Sequence, residues 1–200
     1  MWRPGSAWDD DDALARAWRD ARPFPHLVFD DVVAADRLDA LLAILEDEPV
    51  DPYEGDLFAF EATAVVPRTA AFAALGDDFA AAFAPKLARI TARTVARVDL
   101  RAYAYRPGHY LLPHADHQDG LGRALAFAYY LPSPEPPIGG ELELFACGLE
   151  DGALTSTESA RVIEPRANRL VVFDVSDVSL HQVREVLGGL RISLAGWFYP

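Results

Sequence analysis

The triplet His114-Ala115-Asp116 closes the stretch RAYAYRPGHYLLPHAD, residues 101–116. On a β-strand, residues two apart point to the same face, so this imidazole and carboxylate can grip one metal ion. A third ligand must come from elsewhere, and His181, in VSLHQVREV, is the candidate. Two histidines and one carboxylate on one side of an iron leave three coordination positions open. That is the ligand set of non-haem Fe(II) oxygenases.

The His-x-Asp spacing alone is weak. The chain holds five histidines, and the spacing occurs a second time as His117-Gln118-Asp119. The first pair is preferred because the apolar run before it can be held as strand. The second sits in HQDGLG, a turn-like segment too mobile to hold a metal. His109 and His117 are then spare, with a substrate-side role as their alternative. His26 reads as structural or surface.

Arg191 lies ten residues beyond His181, in LRISLAGWF. Alternation puts Arg191, Ser193, Ala195 and Trp197 on one face of a strand, and Leu190, Ile192, Leu194 and Phe198 on the other. An arginine between apolar neighbours needs an anionic partner, because an unpaired buried charge is costly. A Glu or Asp of the chain is one such partner; a substrate carboxylate gripped by the guanidinium fork is the other. In RALAFAYYL, residues 123–131, Ala124, Ala126, Ala128 and Tyr130 share a face. Small side chains there leave room for a ligand, or merely fit a tapering barrel. Arg101, Tyr103 and Tyr105 likewise share a face, and a phenol lining a pocket wants a hydrogen-bond partner.

These groups need a frame. The 200 residues suit one domain, and 51% are hydrophobic, enough for a sizeable core. The net charge of −13 argues against a nucleic-acid partner and suits a basic polypeptide substrate. Cys147 stands alone, so no disulfide framework exists; core packing or a quiet thiol is its reading, and a reducing cytoplasm fits. The opening MWRPGSAWDDDD is acidic where a secretory leader would be basic and then apolar, and no apolar run is long enough to span a membrane.

Asp9 to Asp12 read as a helix N-terminus ahead of ALARAWRDA, which Arg22-Pro23-Phe24-Pro25 stops. HLVF reads as a strand, and a helix begins near Ala34 with Leu38, Leu41, Leu42 and Leu45 on its core face. Residues 56–66 read as strand or extended chain. Residues 69–97 carry Phe72, Leu75, Phe79, Phe83 and Leu87 on one helical stripe, which Gly76 and Pro85 should divide or bend. The character changes near Val98. Strands are expected at 98–105, 109–114, 123–131, 140–146, 161–163, 168–174, 179–184 and 190–198. Such a series suggests a sandwich or barrel, of which the jelly roll is one form. SPEPP at 133–137 reads as a loop, and GLEDGALTSTES after it as a hairpin loop or a lid.

Taken together, YRPGHYLLPHAD, Arg123 with AYYL, GGELELF at 139–145, ANRLVVF at 167–173, His181 with Val183, and RISLAGWF at 191–198 resemble the 2-oxoglutarate- and Fe(II)-dependent dioxygenases of the prolyl 4-hydroxylase type. Order and spacing agree over residues 100–199, and FPHLVFDD at 24–31 resembles the opening of such proteins. The resemblance implies a single domain over 1–200: a double-stranded β-helix (jelly roll) catalytic core, 98–200, packed against a mainly helical N-terminal support, 1–97. It implies iron on His114, Asp116 and His181, and the far carboxylate of 2-oxoglutarate on Arg191. It places Tyr130, Tyr105 and Ser193 on the cosubstrate side, with Arg123 and Trp197 nearer the prime substrate. O2 is the second cosubstrate and ascorbate a reductant. The implied reaction hydroxylates a C–H bond, foremost of a prolyl residue in a protein or peptide, releasing succinate and CO2. A free amino acid or small natural product is the alternative substrate. A cupin-like metal protein without oxygenase activity is the alternative class. The entrance regions, 50–68 and 148–160, match nothing assignable in that pattern.

Overall fold

The structure is a computed structural model that describes Trp2 and residues 8–200; the leader reading rests partly on Met1 and residues 3–7, which lie outside the described residues. Helix α1 (Asp11–Asp20) starts where the acidic run predicts, with the Asp10 carboxylate accepting from the Ala13 N–H at 2.8 Å. Strand β1 (His26–Asp30) follows. Helix α2 (Ala35–Glu46) buries Leu41 completely, with Leu38, Leu42 and Leu45 packed on the same core.

Helix α3 (Ala70–Thr91) is one continuous element. Gly76 and Pro85, expected to divide or bend it, do not divide it. Pro85 cannot donate to the carbonyl of residue 81, but Ala81 is exposed, so water can take that acceptor. The buried stripe predicted on this helix holds it in place. Phe79 lies 4.6 Å from Phe127 and 5.7 Å from Phe198, ring centre to ring centre. Removing such a ring costs about 3–5 kcal/mol.

The strands after α3 are β4 (Arg97–Tyr105), β5 (Tyr110–His114), β6 (Leu125–Tyr130), β7 (Ile138–Gly139), β8 (Leu142–Glu150), β9 (Ala153–Ile163), β10 (Arg169–Asp174), β11 (His181–Val183), β12 (Val186–Gly188) and β13 (Arg191–Tyr199). Before α3, β2 (Val50–Gly55) and β3 (Phe58–Thr63) form a hairpin. One eleven-stranded antiparallel sheet runs β1-β10-β6-β13-β4-β3-β5-β11-β8-β9, with β2 beside β3, while β7 and β12 pair separately. It curls into a jelly roll. The outward residues of β6, β10 and β13, among them Phe127, Leu170, Val172 and Leu194, pack on the helices. The inward ones, including Ala126, Ala128, Tyr130, Val171 and Phe173, form a second core inside the roll.

Two stretches differ from expectation. Residues 148–160 form the hairpin that was the alternative to a lid, but as strand rather than loop: β8 and β9 pair around Asp151-Gly152, whose φ angles of 51° and 80° are those of a tight two-residue turn. Most of β9 is exposed on both faces, so hydrophobic alternation has nothing to mark. Strand β2 is likewise new, and Pro52 within it is tolerated at a sheet margin. Among the described residues, no helix is long and apolar enough to cross a membrane. Cys147 is a half-buried free thiol on β8, its Sγ 3.5 Å from the Val178 carbonyl.

Candidate active site

Sheet register brings the first and last of the candidate ligands together. β11 pairs antiparallel with β5, and the partner of His181 is His114. Residues opposite one another on an antiparallel pair are close neighbours, so two imidazoles distant in sequence meet, ring centres 4.3 Å apart. Asp116 sits just past the end of β5. Its Oδ1 lies 3.7 Å from His114 Nε2, and its Oδ2 lies 3.6 Å from His181 Nε2. One ligand atom from each of the three lies within 4.8 Å of the others. The second pair behaves differently: His117 Nδ1 meets Asp177 Oδ1 at 2.6 Å, and Asp119 is exposed.

Each imidazole is oriented through its other nitrogen. His114 Nδ1 donates to the Leu112 carbonyl at 2.9 Å, and His181 Nδ1 to the Ser179 carbonyl at 3.0 Å. That leaves both Nε2 lone pairs facing Asp116, the tautomer a metal needs. Burial pushes the pKa of His181 well down, with the Asp116 charge opposing, so its imidazole is neutral at physiological pH. Three convergent donors, two imidazole nitrogens and one carboxylate oxygen, fit a divalent transition metal.

A cavity of about 390 Å³ opens beside them. At another point on its wall is Arg191, 3% exposed. Its guanidinium carbon stands 4.7 Å from the Tyr105 ring and 4.9 Å from the Tyr130 ring, and Nη1 donates to Ser193 Oγ at 3.1 Å. Among the described residues, Arg191 has no carboxylate partner, so the first of the two sequence readings of its charge is excluded. Arg191 Nε and the Tyr130 hydroxyl are buried without partners. Two orphaned donors beside a cavity are costly unless a ligand meets them, and a carboxylate is the complement. Burial pushes the phenols of Tyr105 and Tyr130 up, so both stay protonated donors.

Residues 100–199 match the profile of the 2OG-Fe(II) oxygenase superfamily. The chain belongs to that family. His114, Asp116 and His181 lie within that matched stretch and could hold a metal ion. The chain is 33% identical over 187 residues to prolyl 3-hydroxylase OGFOD1 of Xenopus laevis, covering 90% of this chain and 36% of that one. It is 39% identical over 105 residues to prolyl 3-hydroxylase OGFOD1 of Mus musculus, covering 51% of this chain and 18% of that one. This oxygenase chain thus spans about a third or less of the length of those relatives. The crystal structure of a Pseudomonas putida prolyl-4-hydroxylase superposes with a TM-score of 0.67 at 26% identity, covering 93% of this chain and 98% of that chain.

The remaining predicted residues of this superfamily member distribute unevenly. Arg123 stacks 3.6 Å over the Trp197 ring and donates from Nη1 to the Asp116 carbonyl at 3.0 Å; both line the cavity. Ala126 and Ala128 line it too, whereas Ala124 precedes β6 and packs on the helix side. His109 and His117 are not among the residues that line the cavity. His26 is structural: buried, its Nδ1 donates to the Phe24 carbonyl and its Nε2 accepts from Arg161 at 2.6 Å. Sequence reasoning missed the contribution of the β2–β3 hairpin, whose β3 brings Phe58 and Phe60 to the cavity wall. It also missed Gly140, at φ 72°, whose backbone lies against the Arg191 side chain. The doubled glycine of GGELELF was the available signal.

Proposed function

We propose that this chain hydroxylates a prolyl residue of a protein or peptide, converting 2-oxoglutarate to succinate and CO2. The observation that carries the reading is the meeting of His114, Asp116 and His181 beside a cavity that also holds an unpaired arginine. The names of the relatives, prolyl hydroxylases in each case, support the choice of prolyl over other C–H bonds.

His114, Asp116 and His181 would hold Fe(II), and Arg191 with the Tyr130 hydroxyl would hold the far carboxylate of 2-oxoglutarate. Bound iron supplies the redox chemistry that couples O2 reduction and decarboxylation of the 2-oxo acid to insertion of oxygen into a C–H bond. The chain's part is placement. Ser179 and Leu112 fix the two imidazoles by their backbone carbonyls. Tyr105 and Tyr130 flank the guanidinium of Arg191, so the cosubstrate enters a site already oriented. Phe58, Phe60 and Leu111 give the cavity an apolar rim that excludes water once substrate is seated. Arg123 and Trp197 would contact the prime substrate. Ascorbate would serve as reductant, and the single free cysteine suits a cytoplasmic setting. We read residues 1–200 as one catalytic domain.

Incubation of the protein with Fe(II), 2-oxoglutarate and proline-containing peptides tests this. A gain of one oxygen atom on proline, matched mole for mole by succinate, is the expected result. Oxygen incorporated only into a non-prolyl residue or a free small molecule would reject the prolyl assignment.

A further inference from the structure

The cavity wall carries two more arginines besides Arg191, and their state identifies what the prime substrate brings. Among the described residues, every arginine that is withdrawn from solvent, Arg169 excepted, lies on this one wall: Arg101, Arg123 and Arg191. Arg169 is paired with Asp30 at 2.7 Å. None of the three cavity arginines has a carboxylate partner, in a chain whose net charge is −13. The cavity wall itself offers only one carboxylate, Asp116, which faces the two histidines. A half-buried guanidinium left unpaired among so many available acids is a site built for an anion from outside.

Arg191 accounts for one anion, and Arg101 roots at a different point of the wall. The β4–β13 register pairs Arg191 with Tyr105 and Arg101 with Ala195. The two arginines therefore root four residues apart along the ladder, roughly 13 Å. Their guanidiniums also have different aromatic neighbours, Tyr105 and Tyr130 for Arg191 and Tyr53 and Tyr103 for Arg101. Arg101 instead roots two residue pairs from Trp197, on which Arg123 stacks, so it belongs to the end of the cavity where substrate would sit.

The side chain is also held ready. Nε donates to the Thr63 carbonyl at 2.7 Å, and the guanidinium is flanked by Tyr53 at 4.9 Å and Tyr103 at 5.4 Å. Nη2 is buried and has no partner. Ala195 and, beyond it, Ala128 are its neighbours across the sheet, so small side chains leave the space beside it open. A flexible surface arginine has none of these restraints; a preorganised fork beside open space recognises a planar acid.

We propose that Arg101, with Arg123 on the same cavity wall, forms a second anion subsite that binds a carboxylate next to the ring being hydroxylated. The substrate class is a prolyl unit bearing an adjacent carboxylate, supplied by a neighbouring Asp or Glu side chain or by the α-carboxylate of a terminal or free proline. This inference rests on the prolyl reading above.

The test uses the protein loaded anaerobically with Fe(II) and 2-oxoglutarate, so that binding is read without turnover. Calorimetry compares proline-centred pentapeptide amides carrying Asp, Asn or Lys beside the proline, a truncated peptide ending in proline as free acid and as amide, and free L-proline. A carboxylate-bearing member should bind at least about tenfold tighter than its neutral counterpart, the scale of a charge-assisted pair. Arg101→Gln should erase that preference while leaving the affinity for 2-oxoglutarate unchanged, and Arg101→Lys should keep part of it. An Asp preference and a free-acid preference both support the subsite and tell its two sources apart. Equal binding within both pairs, Asp against Asn and free acid against amide, by the unaltered protein, binding of no member, or a preference that survives in Arg101→Gln overturns it. The comparison of peptides on the unaltered protein stands even where the variant folds poorly. Readmitting oxygen separates the two claims. Hydroxylation of neutral prolyl peptides without preference sinks the subsite alone. An Arg101-dependent preference in binding, with no oxygen gained on any proline, sinks the prolyl reading alone.

Discussion

Single side chains carry the chemistry here through their unsatisfied atoms. Arg191 has one guanidinium nitrogen with no partner and a phenol on either side. Its truncation removes the charge that would fix 2-oxoglutarate. Arg191→Ala should raise the 2-oxoglutarate concentration for half-maximal succinate release about 30- to 150-fold. The same titration should leave iron affinity unchanged. Which of these atoms could be foreseen depends on their neighbours. Arg191 and His181 are polar residues inside apolar strands, and that mismatch is legible in the chain itself. Arg101 is equally visible on its face of β4, but its lack of an acid partner is a fact about three other strands, and no spacing reports it.

At the scale of elements, strand register does what loops do in many enzymes. Strand β11 is three residues long and carries His181. It is clamped from its outer side, where Arg184 and Gln182 donate to Glu143 of β8 at 2.6–2.8 Å. The Arg184 guanidinium holds the Glu143 carboxyl down to about 2, from 4.5 for a free glutamate. A depressed carboxylate stabilises the fold above its unfolded value and loses that contribution as pH falls through the folded one. Stability should therefore be flat above pH about 5 and decline toward pH about 2. The share from Glu143 is on the order of 1–3 kcal/mol, since Arg184 is partly exposed and screened. Glu143→Gln should flatten that part of the curve, which chemical denaturation across pH would measure. Gly140 acts on the neighbouring strand. A Cβ built there would lie 2.9 Å from Arg191 Cδ and 2.8 Å from Val186 Cγ2, at a φ that side chains resist. Gly140→Ala should cost on the order of 1–2 kcal/mol in thermal unfolding and weaken 2-oxoglutarate binding together with it. Strands with one buried face, such as β6, β10 and β13, were readable because their outward residues meet helices. Strand β9 was not, because most of its residues face water on both sides and only the Asp-Gly turn before it marks a hairpin.

Across the whole molecule, the segment before residue 98 is more than a helical buttress. It supplies β1 to one margin of the sheet and β3 to its middle, between β4 and β5, next to the strand that ends in His114. One buried side chain ties the two parts of the chain. Asn168, in a left-handed conformation at φ 63°, accepts from Tyr129 Oη and from the Val33 N–H, and donates to the Val33 carbonyl. Asn168→Ala should lose about 2–4 kcal/mol, and calorimetry should still record one transition, since no part of the sheet closes without the other. Charge is divided in the same global way: the chain carries −13, while its cavity wall has three arginines and one acid. The jelly roll and the triad were legible in the sequence because both depend on strand alternation; the β2–β3 hairpin was not, because β2 is nowhere fully buried and β3 only at its end. The central claim is that iron and 2-oxoglutarate meet on His114, Asp116 and His181. Anaerobic titration with Fe(II) and then 2-oxoglutarate reads it directly. A weak visible absorption band should appear only when both are present, and should vanish in Asp116→Ala while that variant keeps its fold by circular dichroism. An unchanged band in Asp116→Ala, or none in the unaltered protein, would contradict the account.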